Sequence, residues 1–130
     1  MLRLSGLKLA LTGFLLATGL ITGSVHAKGP ATADPSLTIA VAELPSQGVK
    51  TYELIHQGGP FAYEKDGVVF GNRERLLPAK TRGYYREYTV KTPGARNRGA
   101  RRIVCGGQAT TPDTCFYTAD HYASFRKIVP

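Results

Sequence analysis

The sequence predicts an α+β fold, with one main helix packed on an antiparallel β-sheet. Three observations lead there. A single segment, Ser46 to Gln57, has helical apolar spacing and is closed by Gly58-Gly59-Pro60. Beyond it, short β-rich runs alternate with turn residues up to the C-terminus. The chain has 130 residues, the size of one domain.

In chain order, the first element belongs to export and not to the fold. Arg3 and Lys8 flank the start of the apolar run Leu9–Ile21, which leads into Ser24-Val25-His26-Ala27. A basic start, a short apolar core and a small-x-small ending form a cleavable signal peptide, so residues 1–27 are expected to be removed after Ala27. The run is interrupted by Gly19 and falls short of the roughly 20 residues that span a bilayer. The mature chain is therefore expected to be secreted and free of the membrane. Residues 28–36 hold Pro, Gly, Ala and Thr and are expected to be a flexible leader; residues 37–130 form the functional domain.

Removing Arg3 and Lys8 with the signal takes the formal charge from +8 to +6. A basic excess on an exported chain points to an anionic partner such as nucleic acid, polysaccharide or membrane, with plain solubility as the competing reading. The only two cysteines, Cys105 and Cys115, are expected to form one disulfide outside the cell. Two Cys and two mature His show no metal-ligand spacing, so no metal and no cofactor are expected.

Within the domain, Leu37 to Val41 is apolar and reads as a short first strand or a packed tail. In Ser46–Gln57, Ser46 is placed to cap the N-terminus, and Val49, Tyr52 and Ile55 form a narrow apolar face. Gly48 weakens that helix, and His56 in its last turn suits the helix dipole. The strand candidates are Val68–Phe70, Gly83–Val90, Arg101–Cys105, Phe116–Thr118 and Ser124–Val129, joined at Lys65-Asp66-Gly67, Thr92-Pro93-Gly94, Cys105-Gly106-Gly107 and Ala119-Asp120.

Strand alternation then places the charges. Tyr85, Glu87 and Thr89 share one face, and Arg102 and Val104 share one face of the following strand. If the two strands pair, Glu87 and Arg102 lie together on a solvent face, while the helix covers Tyr88, Val90 and Ile103. Arg86 and Arg101 are left on the helix side, where they must snorkel or pair. A carboxylate among guanidinium groups is an ordinary surface ion pair or a site for phosphate. RNA cleavage through its own 2′-hydroxyl requires a base, an acid for the leaving 5′-oxygen, and cations for the charge developing on phosphorus. Glu87 can serve as the base, His121 as the acid, and Arg98 and Arg102 as a bidentate phosphate clamp. Taken alone, His121 is more simply a surface loop histidine.

The order of several motifs adds a resemblance. Gly59-Pro60-Phe61-x-Tyr63, Asp66-Gly67-Val68-Val69-Phe70-x-Asn72-Arg73-Glu74 and Leu77-Pro78 come first. Gly83-Tyr84-Tyr85-x-Glu87-Tyr88-Thr89-Val90 follows, then Thr92-Pro93-Gly94-x-Arg96-x-Arg98-Gly99-x-Arg101-Arg102-Ile103, and Tyr117-Thr118-x-Asp120-His121-Tyr122. Together these resemble the barnase-like microbial guanyl-specific ribonucleases, most closely their small secreted bacterial members.

The resemblance implies the microbial ribonuclease fold for residues 37–130. It implies Glu87 as general base, His121 as general acid, Arg98 and Arg102 on the scissile phosphate, and Tyr122 as a further phosphate contact. Phe70, Asn72, Arg73 and Glu74 match the guanine loop. Glu74 would accept from guanine N1–H and the exocyclic amine, backbone N–H groups near Asn72 and Arg73 would bind O6, and Phe70 would pack on the base. Gly71 inside that loop is expected to loosen it. The reaction implied is metal-independent transesterification after G to a 2′,3′-cyclic phosphate, then hydrolysis to a 3′-phosphate. The implied partner is single-stranded, guanine-containing RNA, with a barstar-type protein inhibitor as a second partner known among some relatives and a monomer as the working form. The alternative is a non-catalytic basic protein of the same fold that binds RNA or polysaccharide.

Overall fold

A computed structural model describes residues 37–130, together with Gly19. The signal-peptide and leader readings for residues 1–36 lie, Gly19 apart, outside the described residues.

The helix, α1, spans Ser46–Gln57 as expected, but its start differs. Pro45 is the N-cap and makes no side-chain cap bond; Ser46 is the first helical residue and exposed. The Pro45 carbonyl accepts from the N–H groups of both Gly48 (2.7 Å) and Val49 (3.0 Å), so the first turn closes on the backbone without a side-chain cap. At the other end Gly58 (φ +84°) is left-handed; the Gly58 N–H donates to the Ile55 carbonyl and the Gly59 N–H to that of Leu54. This doubly bonded ending requires a residue tolerant of positive φ. The buried stripe runs through Gly48, Thr51 and Ile55, with Val49 and Tyr52 flanking it, partly buried. Gly48 is what lets the helix sit close: a Cβ there would lie 3.3 Å from the Leu44 Cβ. His56 stays on the surface, its Nδ1 2.9 Å from the Tyr52 carbonyl.

Five strands make one sheet in the order β1-β5-β4-β3-β2. They are β1 (Thr38–Ala40), β2 (Tyr85–Thr89), β3 (Arg102–Gly107), β4 (Pro112–Thr118) and β5 (Arg126–Val129). The four from β2 to β5 are antiparallel, as expected. β1 adds a parallel edge against β5, with Ile39 opposite Ile128. The first strand reaches the last only by a long crossover, and such a connection delivers parallel pairing. Val68–Phe70 forms only an isolated bridge, Val69 to Arg86. That bridge disposes of Arg86: its Nη1 donates to the Gly67 carbonyl at 2.8 Å.

The helix covers one face of the sheet, where Ile39, Ile55, Tyr88, Val90, Ile103, Tyr117 and Ile128 pack together. Cys105 and Cys115 are register partners across β3 and β4 on this same face and are disulfide-bonded. The loop they close has a separation of 10 residues, which corresponds to about 3 kcal/mol in the loop-entropy picture. Thr51 Oγ1 donates to the carbonyl of Thr89 at 3.0 Å and ties α1 to the end of β2.

The opposite face corrects the sequence reading. It is not a solvent face: Leu77, Tyr85 and Val104 are buried there under Phe70, Tyr84, Phe116, Tyr122 and Phe125. Arg102 on this face is only 2% exposed. Three loops fold over it: the long one from α1 to β2, that between β2 and β3, and that between β4 and β5. Side chains expected in water thus meet in a partly dry setting, where charge interactions are stronger.

Candidate active site

Glu87 stands in the middle of β2, opposite Val104 of β3. Its Oε1 accepts from Arg98 Nη2 at 3.0 Å, the ion pair found among the described residues. Its Oε2 accepts from the hydroxyl of Tyr122. Arg98 is aimed by a second bond, Nε to Thr89 Oγ1 at 3.0 Å. Thr89 is held in turn by its N–H on Asp66 Oδ1 at 2.7 Å. The sequence placed Thr89 on the face of Glu87 and Asp66 in a turn but gave neither a part in the site.

Arg98 sits on the β2–β3 loop, and the loop's shape is set next to it. Gly99 has φ +65°, and a Cβ on it would come 2.5 Å from Thr92 Oγ1. Arg102 anchors the same loop. Its Nη1 donates to the carbonyls of Arg98 (3.3 Å), Gly99 (3.0 Å) and Arg101 (2.7 Å). Its Nε is buried without a partner. One edge of this guanidinium is spent on the backbone, while a second donor remains free at a buried position.

The β4–β5 loop brings in His121 and Tyr122, both with left-handed backbone (φ +53° and +73°). Two such residues in succession require bracing from outside. The His121 N–H donates to the Ala100 carbonyl at 2.9 Å, and the Tyr122 N–H to Thr118 Oγ1 at 3.1 Å. Asp120 accepts from Ser124 Oγ (2.6 Å), Thr118 Oγ1 (2.8 Å) and the Ser124 N–H (2.9 Å). Burial, and then the bond to Glu87, push the Tyr122 hydroxyl well above the ordinary phenol range, with Arg102 acting the other way. Tyr122 is therefore a standing donor to Glu87.

The bonds that Ser124 and Thr118 donate hold the Asp120 carboxyl below its usual value. A carboxylate with a lowered folded pKa contributes stability above its unfolded value and loses it as pH falls through the folded one. Asp120→Asn is therefore expected to destabilise the protein near neutral pH and to match the parent once both are below the carboxylate range. Denaturant midpoints measured at the two pH values check this; a deficit unchanged by pH would assign the effect to loop shape and not to charge.

The long loop supplies the rest. Asn72 is a left-handed residue (φ +49°) whose side chain staples the loop: Nδ2 donates to the Leu77 carbonyl at 2.9 Å, and Oδ1 accepts the Leu77 N–H at 3.1 Å. The Phe70 N–H donates to the Tyr85 carbonyl at 2.9 Å. Gly71 has no positive φ, and a Cβ there would make ordinary contact with Arg73, so the turn does not depend on it. A cavity of about 690 Å³ opens against this loop, lined by Phe70, Asn72, Arg73, Glu74, His121 and Tyr122 among others. The rings of Phe70 and Tyr122 are 4.8 Å apart, and Phe125 lies 6.0 Å from Phe70. These three aromatics form an apolar wall for a planar group. Phe125 went unnoticed in the sequence because it falls in a run that reads as strand.

The predicted residues thus gather in two connected places. Phe70, Asn72, Arg73, Glu74, His121 and Tyr122 line the cavity. Glu87, Arg98 and Arg102 form the charged cluster beside it, and Tyr122 belongs to both. Among the described residues, no three His, Cys, Asp or Glu side chains are grouped so as to hold a metal ion.

Comparison with known proteins gives concordant matches. A family model described as ribonuclease matches residues 26–129. Guanyl-specific ribonuclease Sa3 of Kitasatospora aureofaciens is 58% identical over 90 residues, which cover 69% of this chain and 62% of that protein. Guanyl-specific ribonuclease Sa of the same organism is 54% identical over 95 residues, covering 73% and 96%. Guanyl-specific ribonuclease St of Saccharopolyspora erythraea is 53% identical over 88 residues, covering 68% and 83%. The match thus spans less than two thirds of Sa3 and nearly all of Sa. Among solved structures, ribonuclease Sa2 with guanosine-2′-cyclophosphate is similar with a TM-score of 0.65 and 47% identity, over 72% of this chain and 95% of that one. Ribonuclease Sa2 in complexes with mononucleotides gives 0.67 and 48%, over 75% and 98%.

Proposed function

The chain belongs to the family of microbial guanyl-specific ribonucleases, and from that premise we propose that it is a secreted endoribonuclease that cleaves single-stranded RNA after G. The observation that supports this most is Tyr122, which lines the aromatic-walled cavity and donates to Glu87, itself paired with Arg98. One residue thus links a place for a nucleobase to a carboxylate and guanidinium groups suited to the adjoining phosphate.

In the proposed reaction Glu87 removes the 2′-hydroxyl proton, and the 2′-oxygen attacks phosphorus. The 5′-oxygen departs with a proton from His121, leaving a 2′,3′-cyclic phosphate. In the second step His121 takes a proton from water, and the displaced 2′-oxygen recovers its proton from Glu87, giving a 3′-phosphate. Arg98 and Arg102 stabilise the charge developing on phosphorus. For Glu87 to act as base, the entering phosphate must draw Arg98 from the carboxylate onto itself. Glu74 is assigned to guanine N1–H and the exocyclic amine, an edge that adenine does not present.

The test is incubation of the chain from Lys28 onward with defined RNA in EDTA. The expected result is full activity, cleavage after G, and a transient 2′,3′-cyclic end. Activity lost to the chelator and restored by Mg²⁺, or ends distributed over all bases, would refute the reading. Cleavage after Ala27 is part of the same proposal; N-terminal sequencing of protein recovered from culture medium should begin at Lys28. The expected partners are guanine-containing RNA and, on the strength of the resemblance, a barstar-type inhibitor, with the enzyme a monomer. Stoichiometric loss of activity on adding such an inhibitor and the mass in solution check these two points.

A further inference from the structure

A second cavity, of about 450 Å³, lies against the same loop. Its walls share Val69, Phe70, Gly71, Asn72 and Arg73 with the first cavity, and then diverge to Lys80, Thr81, Arg82 and Tyr85. Arg73, Lys80 and Arg82 surround it, and none of them pairs with a carboxylate among the described residues. The segment that carries Lys80 and Arg82 is pinned at both ends. Tyr85 Oη donates to the Pro78 carbonyl at 2.6 Å, and the Tyr84 N–H to the Thr81 carbonyl at 3.1 Å. The ammonium of Lys80 lies 5.2 Å from the centroid of the Tyr84 ring, a contact that orders a long side chain. Three unpaired cations at a concavity with a fixed backbone suit a phosphodiester.

We propose that this second cavity is a subsite for the phosphate on the 5′ side of the guanosine being read. The inference rests on the ribonuclease reading above and follows from where that reading puts the nucleoside. With guanine in the first cavity, its 3′-phosphate lies toward His121, Tyr122 and Glu87. The 5′-phosphate leaves the opposite end of the ribose, on the side of the loop away from His121. Lys80, Arg82 and the far side of Arg73 occupy that side. The subsite would give the enzyme a preference for internal guanosines over a guanosine at the 5′ end of the RNA, by holding a phosphate that takes no part in the chemistry.

Three substrates separate the possibilities: GpU, UpGpU with one phosphate added on the 5′ side, and GpUpU with one added on the 3′ side. The protein is the chain from Lys28 onward, alone and as Lys80→Ala/Arg82→Ala. A control, Lys50→Ala/Lys127→Ala, removes the same charge elsewhere, Lys50 being an exposed residue on α1. The parent should cleave UpGpU with a severalfold higher kcat/KM than GpU. The double variant should lose that gain while keeping its rate on GpU, which also shows that it is folded. Its log–log salt slope on UpGpU should flatten by about 0.7 for each contact removed. Equal losses on GpU and UpGpU, a loss confined to GpUpU, or the same effect from the control would each overturn the proposal. A parent that cleaves GpU without favouring UpGpU overturns the subsite alone; a parent that cleaves none of the three overturns the function with it.

Discussion

Glu87→Gln is expected to lower kcat/KM on RNA by about 10² to 10⁴, the range general acid–base groups contribute, and His121→Gln by a similar factor. The two should part on a second substrate, guanosine 3′-phosphate carrying an aryl ester. In RNA the leaving group is a 5′-alkoxide, which departs poorly without a proton. An aryloxide departs readily without one. His121→Gln should therefore recover much of its activity on the aryl ester. Glu87→Gln should not, since the 2′-hydroxyl must lose its proton in both reactions. Glu87 accepts from Arg98 at Oε1 and from Tyr122 at Oε2; glutamine of equal size keeps its oxygen for Arg98 and turns its amide N–H toward the Tyr122 hydroxyl oxygen, which can accept, so the base is removed while both contacts persist. Steady-state kinetics of both variants on both substrates decide the matter. Rescue of Glu87→Gln alone would exchange the two roles. Rescue of neither would make His121 a group that positions phosphate, a role that its place on the cavity wall also allows.

The second large effect is expected at Glu74. Hydrogen bonds to a charged acceptor are worth roughly 1.5–3 kcal/mol each, and guanine offers this carboxylate two. Glu74→Ala should reduce the ratio of cleavage after G to cleavage after A by about 10² to 10⁴. The rate on the remaining substrates should change much less. The separation is structural: Glu74 lies on the wall of the cavity, and the Glu87–Arg98–Tyr122 cluster holds together without it. The loop's own staple, Asn72 to Leu77, does not involve Glu74 either, so the variant keeps the shape of the site. Competition assays on RNAs that differ at one base measure the ratio directly. A ratio that survives the substitution would move base recognition to the backbone N–H groups around Asn72 and Arg73.

Some features were written into local sequence. The C-terminal end of α1 was legible because Gly58-Gly59-Pro60 supplies the left-handed ending and the stop that close a helix. The faces of β2 and β3 were legible because a strand's period is two whatever it packs against. The side on which the helix lies followed as well, since Tyr88, Val90 and Ile103 share one face of the paired strands. The disulfide was legible from compartment and count. The motif order carried the remainder of the candidate site, each residue at its own position.

What only the tertiary structure decided is what covers the other face. Alternation assigns Glu87, Thr89 and Arg102 to one side of the sheet but does not say whether that side meets water. The covering elements are loops, whose paths depend on single positions such as Gly99 pressed on Thr92, or the left-handed pair His121–Tyr122. No periodicity announces them. The depth of Arg102, its unpartnered Nε, the bracing of Arg98 by Thr89 and Asp66, and the bond that makes Tyr122 the link between base and phosphate all depend on those paths. The parallel edge β1 was beyond local reading for a related reason. Its partner is the last strand of the chain, and a pairing between the two ends is settled by the closing of the whole fold.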